Sequence, residues 1–212
     1  VLWRSPSSPH PPPIMIDASE ALQRLREGNE RYLAGERGVA CAQDFASLAE
    51  GQAPAAIILG CSDSRVVPEA LFDQPLGELF VVRVAGNVAS PEVMASIEFA
   101  LLRFGSPLLV VMGHTDCGAV SAAIAELSEP TSETPRNIKG LMDRMIPAIK
   151  SVRPSQDEDG AWMRQAVRAN VAASLRGLLQ NSAPIKEAVE AQTLTVVGAE
   201  YNLSTGAVEF LD

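Results

Sequence analysis

Three short stretches, residues 55–60, 79–84 and 107–112, are apolar almost without interruption, and only Arg83 breaks the pattern. A strand with one wet face alternates polar and apolar side chains, so runs of this kind predict strands covered on both faces. The segments around them carry helical signals. Asp17 with Glu20 three residues on is a variant of the capping box, and Leu22, Leu25 and Leu33 follow at roughly helical spacing. Gly28 inside that helix weakens it, so the helix must lean on something else. Residues 91–104 open on Pro91 with Ser90 at the N-cap, and helices are also expected over 119–127, 138–150, 161–180 and 185–191. A buried strand over 193–197 and an edge strand over 207–211, after the turn Ser204-Thr205-Gly206, complete the chain. Buried strands alternating with helices predict an α/β fold: a single domain with a central, mostly parallel β-sheet flanked by helices.

The chain has 212 residues, 47% of them hydrophobic, enough for one domain with a full core. Residues 1–16 are Pro-rich and read as a flexible lead-in, which leaves 17–212 as the folded domain. A formal charge of -9 argues against nucleic acid or an anionic membrane as partner. No apolar run approaches the ~20 residues of a membrane span. Three cysteines cannot build a disulfide framework, which points to a reducing, cytoplasmic compartment. Cys41 reads as an ordinary thiol and Asp157-Glu158-Asp159 as a solvated acidic turn.

Two segments carry chemistry. Cys61-Ser62-Asp63-Ser64-Arg65 follows the first apolar run, and His114-Thr115-Asp116-Cys117-Gly118 follows the third. In open parallel sheets ligands bind outside the carboxyl ends of the strands, so the fold can bring both segments to one place. Cys117 should then sit at the start of a helix, where amide dipoles favour a thiolate. Two thiolates and one imidazole suit a tetrahedral zinc ion with its fourth position left for water. The competing reading makes Cys61 a core thiol, His114 a loop histidine, and Asp63 with Arg65 a surface ion pair. His114 is nonetheless the only histidine outside the Pro-rich lead-in, where His10 lies. Asp116 reads as a solvated or capping residue, and Glu98 and Arg103 as structural residues on a helix.

Taken together, these segments resemble the β-class carbonic anhydrases, in a plant-like, bacterial or cyanobacterial form. The resemblance rests on 61–65, 80–87 and 114–118, and on 25–32, which is similar to the N-terminal helix of that family. It implies that Cys61, His114 and Cys117 hold Zn2+ and that Asp63 and Arg65 form a catalytic dyad. It also implies reversible hydration of CO2 to bicarbonate and a proton, with hydroxide generated at zinc as the nucleophile. Asp63 is a possible fourth ligand in a closed state of such a site. Ile58 stands where regulated bacterial relatives carry a Trp three positions before the first Cys, so the inhibitory bicarbonate pocket is not expected. Arg83 and Tyr201 are common to many relatives and do not restore it. Gln52, nine positions before Cys61, matches a substrate-side Gln of the plant-like subtype that comes from the neighbouring subunit. Phe80 matches an apolar wall residue, and Ala85, Phe99 and Gly118 complete the implied substrate pocket. Ala85 replaces a larger branched residue there, and Phe99 stands where some plant enzymes have Tyr. A homodimer or higher even homo-oligomer is implied, with the N-terminal helical arm packing on a partner subunit. Two alternatives share the fold and zinc: hydrolysis of carbonyl sulfide or carbon disulfide, and a non-catalytic zinc-stabilised module.

Overall fold

The computed structural model describes residues 16–36, 38, 45–154 and 161–211. The lead-in up to residue 15 with His10, the thiol Cys41 and the acidic triplet 157–159 lie outside the described residues. The order of elements is α1 (Ala18–Ala34), α2 (Phe45–Glu50), β1 (Ala56–Gly60), α3 (Pro68–Leu71), β2 (Leu79–Arg83), α4 (Pro91–Phe104), β3 (Leu108–His114), α5 (Gly118–Ser128), α6 (Arg136–Ser151), α7 (Ala161–Asn181), α8 (Ala183–Glu190), β4 (Thr195–Tyr201) and β5 (Val208–Leu211). The strands form one sheet in the order β2-β1-β3-β4-β5. The first four are parallel and β5 is antiparallel to β4.

The two faces of this sheet divide the core. Ile58, Val110 and Met112 pack on one face with Ala21 and Leu25 of α1 and Leu71 of α3. Ile57, Leu59, Leu109 and Val111 pack on the other with Ile97 of α4, Val171 and Leu178 of α7 and Ile185 of α8. A third cluster lies beyond the carboxyl ends of the strands. There Val120, Met142, Met145, Trp162, Ala166 and Val167 from α5, α6 and α7 enclose Cys61 and Cys117. Continuous apolar runs are thus explained for β1 and β3, which are buried along their whole length.

Strand β2 departs from the sequence reading. It is the outermost strand of the parallel sheet, so only Leu79 is buried, residues 80–82 are half-buried and Arg83 is exposed. The last parallel strand also differs, starting at Thr195 and running to Tyr201 rather than over 193–197. Gly198 and Glu200 hid its second half. At Gly198 a Cβ would stand 3.1 Å from Val171 Cγ1, so any larger residue would press on helix α7 there. Glu200 is tolerated in the strand because the Arg168 Nε–H of α7 donates to its Oε2 at 2.8 Å. The short α2 and α3 were not anticipated, and neither was the 3-10 turn over Ala85–Asn87.

Helix α1 starts as its sequence predicts: the Glu20 N–H donates to Asp17 Oδ1 at 2.8 Å. Only half of a capping box forms, because the Glu20 carboxylate accepts from Arg24 instead of the Asp17 amide. Gly28 proves to be a point of close approach, since a Cβ there would lie 1.7 Å from the Phe72 carbonyl oxygen. Next to it Asn29 Nδ2 donates to the carbonyls of Leu71 and Gly206, and Asn29 Oδ1 accepts from Val208 N–H. The helix therefore leans on its own chain, on both α3 and the start of β5. Gly28→Ala should overpack this contact and cost about 1–3 kcal/mol. Gly140 sits in α6 with open space where a Cβ would go, so Gly140→Ala should gain about 0.5–1 kcal/mol from backbone entropy. Thermal melts of the two variants check the opposite signs.

Helix α5 is tied to α6 by one ion pair, Lys139 Nζ to Glu126 Oε1 at 3.1 Å. The Lys139 ammonium, with Thr134 assisting, holds the Glu126 carboxyl below its ordinary value against the opposing cost of burial. A carboxyl depressed in the folded state stabilises above the unfolded pKa of about 4.3, and that contribution is lost as pH falls through the folded value. Lys139→Met should therefore lower Tm at neutral pH, with the gap to the parent closing below about pH 4. Melts across that range measure it.

Candidate metal centre

Where β1, β2 and β3 end, the chain leaves the sheet with its polar groups already committed. Cys61 directly follows β1, and its Sγ accepts from the Gly86 N–H at 3.4 Å. Gly86 lies in the 3-10 turn after β2 at φ 69°, a conformation that favours glycine. Its Cβ would meet Met145 Sδ at 2.6 Å, so α6 closes over it. Helix α7 anchors this turn from the far side, Asn170 Nδ2 donating to the Gly86 carbonyl at 2.7 Å and Ser174 Oγ to the Asn87 carbonyl at 2.9 Å.

His114 is the last residue of β3, in register with Tyr201, rather than a loop residue after the strand. Its ring is fully buried, and Nδ1 lies 2.9 Å from the Thr115 carbonyl. A carbonyl only accepts, so Nδ1 carries the proton and Nε2 presents a lone pair. That Nε2 is buried and makes no hydrogen bond among the described residues. Cys117 is the N-cap of α5, and the Val120 and Ala119 N–H groups favour a thiolate there, against the larger opposing effects of Cys61 and burial.

The two sulfurs stand 4.0 Å apart, and one donor atom each from Cys61, His114 and Cys117 lie within 4.8 Å of one another. Tetrahedral zinc with arms of ~2.3 Å to sulfur and ~2.0 Å to nitrogen would separate its donors by about 3.5–3.8 Å. The group is slightly wider than that and needs only a small contraction. Without a cation the pair must share a proton: a hydrogen bond from Cys117 draws Cys61 down to about 4, and Cys117 is pushed up by the negative Cys61 and by burial. Burial opposes charge on His114, yet the nearby Cys61 thiolate and the Thr115 carbonyl outweigh it and raise its pKa. Two soft donors, an orphaned imidazole nitrogen and a surplus of negative charge in an apolar enclosure are what a divalent zinc-like ion would satisfy.

Asp63 stands at the mouth of this group. Its carboxylate accepts from Arg65 three times, at Oδ1 from the backbone N–H (3.0 Å) and Nε (2.9 Å), and at Oδ2 from Nη2 (2.7 Å). Those hydrogen bonds from Arg65 hold the carboxyl well below the usual carboxylate range. Oδ2 is 4.0 Å from His114 Nε2, so this ion pair is part of the centre and not an isolated surface contact.

The other sequence candidates fall in two places. Ala85 is the first residue of the turn that meets Cys61, and Gly118 is the first residue of α5 beside Cys117. Phe80 pairs with Ile57 on β2 and packs with Phe99 and Phe104, its ring 6.4 and 6.0 Å from theirs. It lies four residues before Val84, whose N–H meets the Gly60 carbonyl, or about 13 Å down the strand at ~3.3 Å per residue. Gln52 precedes β1, at the opposite end from Cys61, and is exposed. Neither is brought to the three donors of its own subunit. Ile58, at the diagnostic Trp position, is a fully buried core residue. Asp116 is exposed with φ 54° and lies outside the three-donor group, its charge acting on Arg65, and Glu98 accepts from Ser182 Oγ at 2.6 Å, a structural tie between α4 and α8.

Residues the sequence did not assign to the centre hold it in shape: Gly86, Asn170 and Ser174 behind Cys61, and Arg83, which the sequence marked only as a break in an apolar run and as common to relatives. Glycine after a strand was the one visible signal. Asn170 and Ser174 lie inside a long helix and carry none.

A mostly parallel α/β sheet thus carries at the carboxyl ends of its strands a buried Cys-His-Cys group that could hold a metal ion, with a guanidinium-held carboxylate beside it. The carbonic anhydrase family model matches residues 56–208. The chain belongs to the β-carbonic anhydrase family. It is 39% identical over 199 residues to the carbonic anhydrase of Mycolicibacterium smegmatis, covering 89% of this chain and 91% of that protein. It is 37% identical over 195 residues to carbonic anhydrase 2 of Mycobacterium tuberculosis, covering 91% and 92%. Among solved structures it is similar to the β-carbonic anhydrase CcaA, with TM-score 0.70 and 28% identity over 92% of this chain and 86% of that one. The Coccomyxa β-carbonic anhydrase in complex with acetazolamide gives TM-score 0.71 and 25% identity over 93% and 87%.

Asn170→Ala would strip the buried Gly86 carbonyl of its donor and free the N–H that faces Cys61. It should weaken zinc binding about tenfold, read by competition with a chromophoric chelator. The rise in Tm on adding zinc should shrink with it.

Proposed function

We propose that this protein catalyses the reversible hydration of carbon dioxide to bicarbonate, with Zn2+ held by Cys61, His114 and Cys117. The observation that carries this reading is the ionised Asp63 carboxylate 4.0 Å from the orphaned His114 Nε2, at the open side of the three donors. A structural zinc site would gain nothing from a carboxylate kept there under three hydrogen bonds. Bound zinc supplies Lewis acidity, which brings water toward hydroxide near neutral pH.

The chain's own residues do the rest. Asp63 Oδ2 can only accept, so it takes the O–H of the attacking water and aims the oxygen lone pair away from itself, toward the carbon of CO2. Arg65 keeps that carboxylate ionised and pointing one way. The apolar cluster around Val88, Val120 and Met145 keeps the donors dry, which strengthens every charge interaction at the centre. Gln52 and Phe80, too far from their own donors, would serve the centre of a second copy, which makes the functional unit a homodimer or a higher even assembly. The plant-like pattern at Ile58 and Gln52 supports a site without an inhibitory bicarbonate pocket.

The test is stopped-flow CO2 hydration by the zinc-loaded protein from neutral to alkaline pH. Two thiolates lower the Lewis acidity of the metal relative to neutral ligands, so the rate should climb with pH into the alkaline range. Asp63→Asn should lose about a hundredfold or more in kcat/KM while keeping the metal. A folded, zinc-loaded protein inert to CO2 at every pH overturns this reading. Turnover of carbonyl sulfide or carbon disulfide would then take its place.

A further inference from the structure

Arg83 does something that its place on an exposed strand end does not require. Its side chain turns back across the top of β1, Nε donating to the Cys61 carbonyl at 2.9 Å and Nη2 to the Asp63 carbonyl at 2.6 Å. Among the described residues its guanidinium makes no ion pair with any acid. Both carbonyls lie just past the end of the sheet. The last ladder contact there is Val84 N–H to the Gly60 carbonyl at 3.1 Å. Beyond it the chain turns, and Val66 N–H closes on the Asp63 carbonyl at 3.0 Å. Arg83 thus extends the β1–β2 ladder with its side chain and satisfies two carbonyls the backbone of β2 cannot reach. Nε and Nη2 lie on one edge of a rigid planar fork, which matches two carbonyls two residues apart.

Those carbonyls belong to the two residues on which the centre turns, a metal donor and the gating carboxylate. Asp63 Oδ2 stands 4.0 Å from His114 Nε2, against about 3.3 Å between a nitrogen and an oxygen ligand of tetrahedral zinc with arms of ~2.0 Å. A shift of well under an ångström per partner would let the carboxylate itself become the fourth ligand. Arg65 opposes that shift at the carboxylate, but Arg65 is on the same short segment and would move with it.

We infer that Arg83 is a positioning residue: by clamping the 61–63 backbone to β2 it keeps Asp63 on Arg65 and leaves the fourth metal position to water. This deepens the proposed function and rests on the same metal centre. It also ties the dyad to the edge strand β2, so that any movement of that strand reaches Asp63 through one side chain.

The test uses the full-length protein loaded with Co(II), whose visible spectrum reports the ligands, titrated with azide as a probe of the open position. The wild-type spectrum should respond to azide whether or not the protein hydrates CO2, so the two readings fail separately. Arg83→Gln should keep its Co(II), lose the azide response, and lower kcat/KM by about tenfold to a hundredfold, the worth of one or two charge-assisted hydrogen bonds. Arg83→Lys, which can reach one carbonyl only, should fall between. The double variant Arg83→Gln with Asp63→Asn should regain the azide response, because an amide is a poor ligand. An Arg83→Gln protein that still responds to azide like wild type overturns the inference. So does a loss of response that the added Asp63→Asn leaves unrepaired, since the defect would then be general disorder of the centre.

Discussion

Two cysteine sulfurs 4.0 Å apart inside an apolar cluster, beside a buried imidazole nitrogen without a hydrogen bond, form the constraint around which this protein is built. Two thiolates at that distance repel each other strongly where the dielectric is low, and burial alone would protonate both. The neighbouring contacts shape the group to receive a cation. The Gly86 amide faces one sulfur, the N-terminus of α5 faces the other, and the Thr115 carbonyl turns the imidazole lone pair inward. The arrangement is stable in proportion to how well a cation completes it, which is why metal binding and folding are coupled in such sites.

The sheet delivers the donors, but helices decide their spacing. β1 and β3 are adjacent and parallel, so Cys61 and His114 emerge at the same end from different parts of the chain. Cys117 is added by the turn into α5, where Asp116 adopts a positive φ. Helix α7 then does two jobs. Its apolar side packs on the sheet through Val167 and Val171, where Gly113 leaves no room for a Cβ. Its polar residues Asn170 and Ser174 hold the turn that touches Cys61. A packed core and a hydrogen-bonded clamp on one rigid helix give the centre its precision.

The dyad is organised differently from the donors. Cys61 and His114 are buried, whereas Arg65 is exposed and Asp63 lies at the boundary, with side-chain exposures of 59% and 18%. An exposed ion pair is ordinarily worth little, because water screens it and two long side chains must be ordered. Here the carboxylate accepts three hydrogen bonds from one residue two positions away, so little extra entropy is lost in holding it. The carboxylate therefore remains ionised and oriented while staying accessible from solvent.

The sequence by itself determined the α/β class, because unbroken apolar runs predict strands buried between helices, and it put Cys61, His114 and Cys117 forward as candidate donors, through the two segments that follow those runs and the family resemblance they carry. It also gave the Asp63–Arg65 pair, whose partners are two residues apart and need no long-range contact. Where neighbours alone set the environment, reading failed: β2 looked as buried as β1 but lies at the edge, and β4 was hidden by Gly198 and Glu200, which only α7 explains. Gly28 signalled weakness in a helix but is a contact with the Phe72 carbonyl. Arg83, Asn170 and Ser174 act on backbone carbonyls, and no residue pattern announces a backbone partner 20 to 87 positions away. Local chemistry is written in residue types and short spacings. Which strand is outermost, which glycine is crowded and which guanidinium finds a carbonyl depend on chain segments brought together only by folding, and those were decided by the tertiary structure.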